Sequence, residues 1–591
     1  MQVPRLSYFA LYVAPVAIFV VLSVGSVLQK SPTYDETVHL FAGYSYLRWG
    51  DYRVNPEHPP LVKMLAAAPL LALDLDTARI TSRERSEVQR DKNYGWVLAH
   101  RFVFADNDAE TLFGQARWVM LFLAVALAVC IVLWARELYG AEAAIAALVL
   151  FCFDPNIIAH ASIVQTDVPF ALFFFASTYF FWRSLQKLSW FNLLMTAALF
   201  ALASVTKFSF LAILPAWFLV GLVKIMSSEP LNSPITSPSV IAGRWKKTAF
   251  VSTVFIFALI FSYVAIWAAY QFRFDAVLYQ RGQYFIANRG VESPWLESLI
   301  ELCRTHFVLP EAWIFGVEDA YRHMERAAYL NGEISKTGFW MYFPVAFIAK
   351  TPVPTLLLIV IAVGRLICVR PRQGGALVLL APAIIFFMLA VWSKLNVGLR
   401  HIIPVYPFLF VLIGATIGVL WKSGRRPARF SLIFIGLWLI GSTLWAYPNY
   451  LAYFNEVAGG PSRGHRILVD SSLDWGQDLK ELKKWMSRNQ VEKIQFAYFG
   501  TADPAYYKID AVYLPGSVFV SDPPLTDVAA TPPYLAISET HLAGLYLDQP
   551  DRYARFRDQK PVARIGNSIR VYKIMNNRVP AEPAASSKPA P

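Results

Sequence analysis

The sequence predicts an α-helical polytopic membrane protein of about eleven transmembrane helices with a small α/β domain at its C-terminal end. Three observations carry this. Hydrophobic residues make up 56% of the 591-residue chain and charged residues only 16%, where a soluble chain carries roughly a quarter charged residues. Apolar runs near the length of a bilayer core recur through the first 450 positions. Lys and Arg gather in alternate short loops, as topology demands.

In order, the candidate spans lie at about 7–28, 112–135, 141–158, 167–183, 190–206, 208–226, 248–270, 341–364, 375–392, 401–421 and 430–448. The first exceeds a signal-peptide core and has no clear small-residue cleavage site before Asp35, so it is expected to be a retained anchor. With the N-terminus inside, the inside segments hold fifteen basic residues against three acids. Much of the net charge of +13 is thereby explained by topology. A nucleic-acid footprint would instead gather basic residues on one soluble face, so no nucleic-acid partner is expected. The four cysteines are scattered, which excludes a disulfide framework or a CxxC metal pattern.

Three large segments then fall outside: 29–111, 271–340 and the part from about 449. The expected division is a transmembrane domain over 1–450, an extracytoplasmic α/β domain over 451–576 and a disordered tail over 577–591. Within the α/β part, "RILVD" (466–470), "KIQFAYFG" (493–500) and "YLAIS" (534–538) have strand patterns. "DLKELKKWM" (478–486) has helical spacing, and "ARIGNSIRVYKI" has the pattern of a terminal hairpin. "DSSLDWGQD" (470–478) spaces three acids by four, but lacks the alternation and glycine of a calcium loop, so capping and turns are expected there.

Ionisable residues near membrane spans are costly and are functional candidates. Asp35 and Glu36 open the first outside segment, in "YDETVH". Asp154, His160 and Asp167 flank the short loop "FDPNIIAHASIVQTDVPF", and Lys207, Lys350, Arg400 and His401 lie at the same predicted face. Carboxylates suit proton abstraction from an acceptor or stabilisation of positive charge at a sugar carbon. Lysine and arginine suit phosphate oxygens. Plainer roles compete: Asp35 could cap the helix that follows, and Lys350 could snorkel to headgroups. One histidine near two acids is a weak metal signal, so no metal is expected; a divalent cation is conceivable but has no supporting ligand cluster.

The ordered set "YDETVH", "NPEHPPLVK", "QTDVPFALFFF", "SVTKFSFL", "YLNGEISKTGFWMYFPVAFIAKTPVP" and "KLNVGLRHIIPVYPFL" resembles the GT-C superfamily of polyprenyl-phosphate-dependent glycosyltransferases. The nearest branch comprises the protein O-mannosyltransferases (glycosyltransferase family 39) and their bacterial relatives, the lipid A aminoarabinose transferases. The resemblance covers roughly residues 5–450. It implies that Asp35 is the catalytic acid with Glu36 beside it, and that Asp167 orients the site. His58 stands where relatives often place a lysine for the carrier phosphate, and Lys63 could share that role. On chemistry more than on motif, Lys207, Lys350, Arg400 and His401 are further candidates for binding donor or phosphate.

The implied function is transfer of a hexosyl or pentosyl group, with inversion, from a polyprenyl-phosphate-sugar donor to a lipid, glycan or protein acceptor. The implied place is the outer face of the cytoplasmic (inner) membrane, among membrane lipids. Protein O-mannosylation is the alternative within the class, weakened because the C-terminal region differs from that of the protein mannosyltransferases. A flippase for lipid-linked sugars would need charges at the bilayer midplane and mirrored halves. A noncatalytic assembly partner would have no use for the acid pair.

Overall fold

The computed structural model describes residues 5–232, 240–277, 293–322, 324, 326–368, 375–518 and 532–574; the expected tail at 577–591 lies outside them. The chain is a polytopic α-helical membrane protein. Among the described residues, eight helices are long and apolar enough to cross a membrane, or ten if each of two bent pairs is one span. The bent pairs are Ala141–Cys152 with Pro155–Ala161, at 66°, and Tyr342–Lys350 with Val353–Cys368, at 111°. Trp190–Ser204, the fifth expected span, is 15 residues long, about 22 Å at 1.5 Å per residue and therefore short of a bilayer core.

Each bend has a cause in the sequence. Asp154, before Pro155, caps the second half of its pair by accepting from the N–H groups of Asn156 and Ile157. Pro352 and Pro354 follow Lys350 and cannot continue its helix. Elsewhere small residues permit close packing. A side chain at Gly414 would collide with the Ala143 carbonyl, so the Tyr406–Lys422 and Ala141–Cys152 helices can touch backbone to backbone. Aromatic contacts fill the remaining core: Trp134 against Phe175 and Phe408, and Phe181 stacked on Trp217 at 4.5 Å.

Beyond the spans, segment 29–111 folds as short helices, the first two being Glu36–Trp49 and Leu61–Ala67. A Cβ at Gly43 would overlap the Lys63 carbonyl, which fixes these helices together. The C-terminal region forms a five-stranded sheet of β1 (Lys493–Ala497), β2 (Asp510–Tyr513), β3 (Tyr534–Ser538), β4 (Ala563–Ile565) and β5 (Ile569–Lys573). Its order is β2-β1-β3-β5-β4, with β1 parallel to β2 and β3, and β5 antiparallel to β3 and β4. The amphipathic helix Leu479–Arg488 buries Leu479, Leu482 and Met486 in one core with Ile494 and Phe496, and that core continues into Phe41 and Leu98 of the first loop.

Four strand-forming stretches fall where expected, β2 is additional, and "RILVD" is not a strand. It forms short 3₁₀ turns at Gly464–Arg466 and Asp470–Ser472. Leu468 is apolar because it joins the transmembrane core, and Val469 because it packs on Tyr329 and Leu545. Asp470 takes a φ of +56°, which ends any extended run.

Candidate active site

The first loop, the ends of several spans and the C-terminal region meet on one face. Asp35 lies there, immediately before the Glu36–Trp49 helix, and makes no capping bond. Its carboxylate instead lies 3.3 Å from Arg400, and the side chain is 25% exposed, so it is open to a substrate. Arg400 sits in a 3₁₀ turn at the head of the Tyr406–Lys422 helix. It reaches Asp167, the first residue of the Asp167–Gln186 helix, at 3.5 Å. Lys207, in the break before Phe208, donates a hydrogen bond to the other oxygen of Asp167. Two acids and two cations thus alternate as Asp35, Arg400, Asp167, Lys207, with no net charge.

Histidines complete the wall. His58 faces His39 with ring centroids 6.1 Å apart. Burial holds His58 well below the usual imidazole range, with the Lys207 cation adding to the effect. Burial likewise takes His39 down to about 4. Its Nδ1 lies 2.9 Å from the Val164 carbonyl, which can only accept, so Nδ1 carries the proton. His401 joins the group beside Asp167, and its buried Nε2 has no hydrogen-bond partner among the described residues. An orphaned buried nitrogen and a shared arginine mark a site built for a polar ligand.

Three expected site residues lie elsewhere, each already committed. Glu36 is fully buried: Arg117 donates to both of its oxygens at 2.9 and 2.8 Å, and the N–H groups of Thr33 and Val164 add bonds of 2.8 and 3.2 Å. Burial would raise its carboxyl, but Arg117 and these donors bring it below the usual carboxylate range. Glu36 is therefore scaffold and not a second catalytic acid. Lys63 donates to the carbonyls of Asn55 and His58, and burial brings its ammonium down to about 7. It shapes the loop that presents His58. Lys350, at the 111° bend, donates to the carbonyls of Leu451 and Ser472 and lies 4.6 Å over the Phe454 ring. Its donors hold the C-terminal region on the membrane domain and are not aimed at a phosphate.

The structure adds two residues that sequence reasoning missed. The Trp475 ring lies under the Arg400 guanidinium at 4.3 Å. Arg326 rests against the Tyr546 ring at 5.6 Å, within electrostatic reach of Asp35, Glu57 and Asp470. "DSSLDWGQD" held the only signal for Trp475, an aromatic inside a polar run. Among the described residues, no three of His, Cys, Asp and Glu converge as metal ligands.

A family model described as dolichyl-phosphate-mannose-protein mannosyltransferase matches residues 109–267. It bears out the glycosyltransferase resemblance over that stretch, which includes Asp167 and Lys207. No curated protein matches. Among solved structures, apo ArnT from Cupriavidus metallidurans is similar at 13% identity and TM-score 0.47, covering 95% of this chain and 97% of that one. The same protein bound to undecaprenyl phosphate is similar at 12% and 0.45, covering 96% and 98%. The Saccharomyces cerevisiae Pmt1–Pmt2 complex bound to the sugar donor is similar at 17% and 0.31, covering 45% and 35%.

Proposed function

We propose that the chain is a membrane glycosyltransferase that moves a sugar from a polyprenyl-phosphate donor to an acceptor, with inversion, at the outer face of the cytoplasmic membrane. The observation that carries this reading is Arg400, shared between Asp35 and Asp167 at 3.3 and 3.5 Å. The family match over 109–267 supports the reaction class.

The geometry supports the following steps. Without donor, Arg400 occupies Asp35. A donor phosphate engages Arg400 and Lys207, because guanidinium and ammonium groups meet phosphate oxygens well. Asp35 loses its partner and is free to accept a proton. The acceptor O–H or N–H gives that proton to Asp35 as its heavy atom attacks the anomeric carbon from the face opposite the phosphate. The bond from that carbon to the phosphate oxygen breaks, and its electron pair stays on the oxygen. Arg400 and Lys207 meet the growing charge, which is electrostatic stabilisation in place before the reaction begins. Asp167 remains ionised between the two cations and keeps them aligned. The neutral histidines add donors without adding charge. In this reading the cations do the work a divalent metal would do.

Radiolabelled sugar transfer from several polyprenyl-phosphate sugars, in membranes holding wild type or Asp35→Asn, tests this. Asp35-dependent label in an acceptor fraction, indifferent to chelator, is expected. Label that merely changes sides, unaffected by Asp35→Asn, would mean transport. Loss of transfer on chelation would overturn the metal-free part. Because the matching family is described by a protein substrate, a protein acceptor is the second reading, and label in the protein fraction would select it.

A further inference from the structure

We infer that Trp475 is a positioning residue for the transfer reaction, and that residues 470–478 of the C-terminal region form a strap that sets Arg400 and Asp35. The inference rests on the function proposed above. Arg400 lies 3.3 and 3.5 Å from its two carboxylates, longer than the roughly 2.7–2.9 Å of a charge-assisted hydrogen bond. An unrestrained guanidinium between two carboxylates would close bidentately on one of them. What holds it off comes from the strap: the Trp475 ring, with the guanidinium carbon over it 4.3 Å from its centroid, and a 3.2 Å bond donated by Arg400 Nε to Ser471 Oγ.

The strap also grips the loop that carries Arg400. Ser471 Oγ donates to the Val397 carbonyl, and Ser472 Oγ accepts from the Leu399 N–H. On its other side it grips the residue before Asp35, because the Tyr34 N–H donates to the Trp475 carbonyl at 2.9 Å. One tryptophan thus fixes Arg400 through its ring and Asp35 through its backbone. Trp475 is itself held. It is 2% exposed, it packs with Ile163, Leu451 and Phe499, and its backbone N–H donates to Gln477 Oε1 at 2.7 Å.

The consequence is that the cation waits within reach of both acids, bound fully by neither, and can move to an incoming phosphate without breaking a strong pair. A merely structural tryptophan would have no such effect on turnover.

The test is steady-state transfer by the purified full-length protein carrying Trp475→Leu or Trp475→Phe, with melting temperature in the same detergent. Trp475→Leu is expected to lower kcat about a hundredfold, the scale on which a misplacement near 1 Å acts. Donor KM should change little; because a buried ring is lost, melting should fall, so kcat is taken per folded, purified protein. Trp475→Phe, which keeps a ring under the cation, should recover most of the rate. Wild-type kcat in Trp475→Leu, or equal losses in both variants, overturns the inference. Where Trp475→Leu does not fold, Ser471→Ala removes the second restraint, and a fall in kcat at unchanged melting supports the strap while unchanged kcat overturns it. Should wild type transfer sugar from no lipid-phosphate donor, the functional reading fails by itself. The positioning contact is then read from the melting temperatures of Trp475→Leu, Arg400→Gln and the double variant: coupled shifts sustain it, and additive shifts overturn it.

Discussion

Glu36 and Asp35 are adjacent acids with opposite expected responses to loss of charge. In Glu36→Gln, Arg117 keeps its full charge in a buried site with no counter-charge, and of its two bonds of 2.9 and 2.8 Å one is lost, because the amide NH2 there faces donors. Removing one partner of a buried ion pair costs about 3–5 kcal/mol, since the remaining charge is left uncompensated. The amide oxygen of Gln still accepts one of the Thr33 and Val164 bonds, so the lower end, about 3 kcal/mol, is expected. Glu36→Gln should therefore melt well below wild type, measured by thermal unfolding in detergent, and the folded fraction should retain turnover. Adding Arg117→Met removes the stranded charge and should recover a large part of the loss. The sign of the pH effect follows from the depressed carboxyl. Stability from this pair is present above the ordinary glutamate value of about 4.3 and is lost as pH falls through the lower folded value. A Glu36→Gln protein that melts like wild type but transfers nothing would refute the assignment, and so would a double variant no more stable than the single one.

Asp35→Asn should melt like wild type while kcat falls by about 10²–10⁴, the usual yield of a positioned general base; both are read from one purified sample. Lys207→Met leaves Asp167 with Arg400 alone, and the donor KM measured in the transfer assay should rise. Gly398→Ala places a Cβ against Ser471 Oγ and should lower stability by about 1–3 kcal/mol, with a fall in transfer rate from displacement of the strap. His39 is held neutral down to about 4, so its contribution to stability should shrink as pH falls from about 6.5 toward that value. A His39→Asn variant should flatten that part of a melting-versus-pH curve.

The membrane architecture was legible because burial in lipid imposes length and charge rules on every span. All eleven apolar stretches are helical, and the one at 141–158 is a pair broken beside Asp154. The bend after Lys350 was hidden because both halves are apolar, and only "KTPVP" marks it. In the site, Asp35, Asp167, Lys207, Arg400 and His401 are legible as charges or imidazoles at one predicted face and His58 through the family resemblance, and the structure brings them together. Glu36 and Lys350 satisfied the same rule for a different reason, since the rule detects costly charges and cannot tell which have partners. Arg117 lies 81 positions from Glu36, and Ser471 lies 71 positions from Arg400; no local pattern encodes such pairs. "RILVD" failed in the same way, Leu468 facing the membrane domain and Val469 facing Tyr329 and Leu545, neither of them a sheet partner.

The 470–478 strap makes the C-terminal region poor material for domain exchange. A chain cut after the last span keeps the residues for every helix in the bilayer, yet lacks the ring under Arg400 and the carbonyl that receives Tyr34. During synthesis the reaction centre stays incomplete until residue 475 has emerged and docked, long after Asp35 has taken its place. A relative with another domain fused at this point must supply its own restraint on the arginine, or start from a different resting arrangement of the acids. Two halves produced separately would regain turnover only on reassociation, so catalysis itself would report the docking of one on the other.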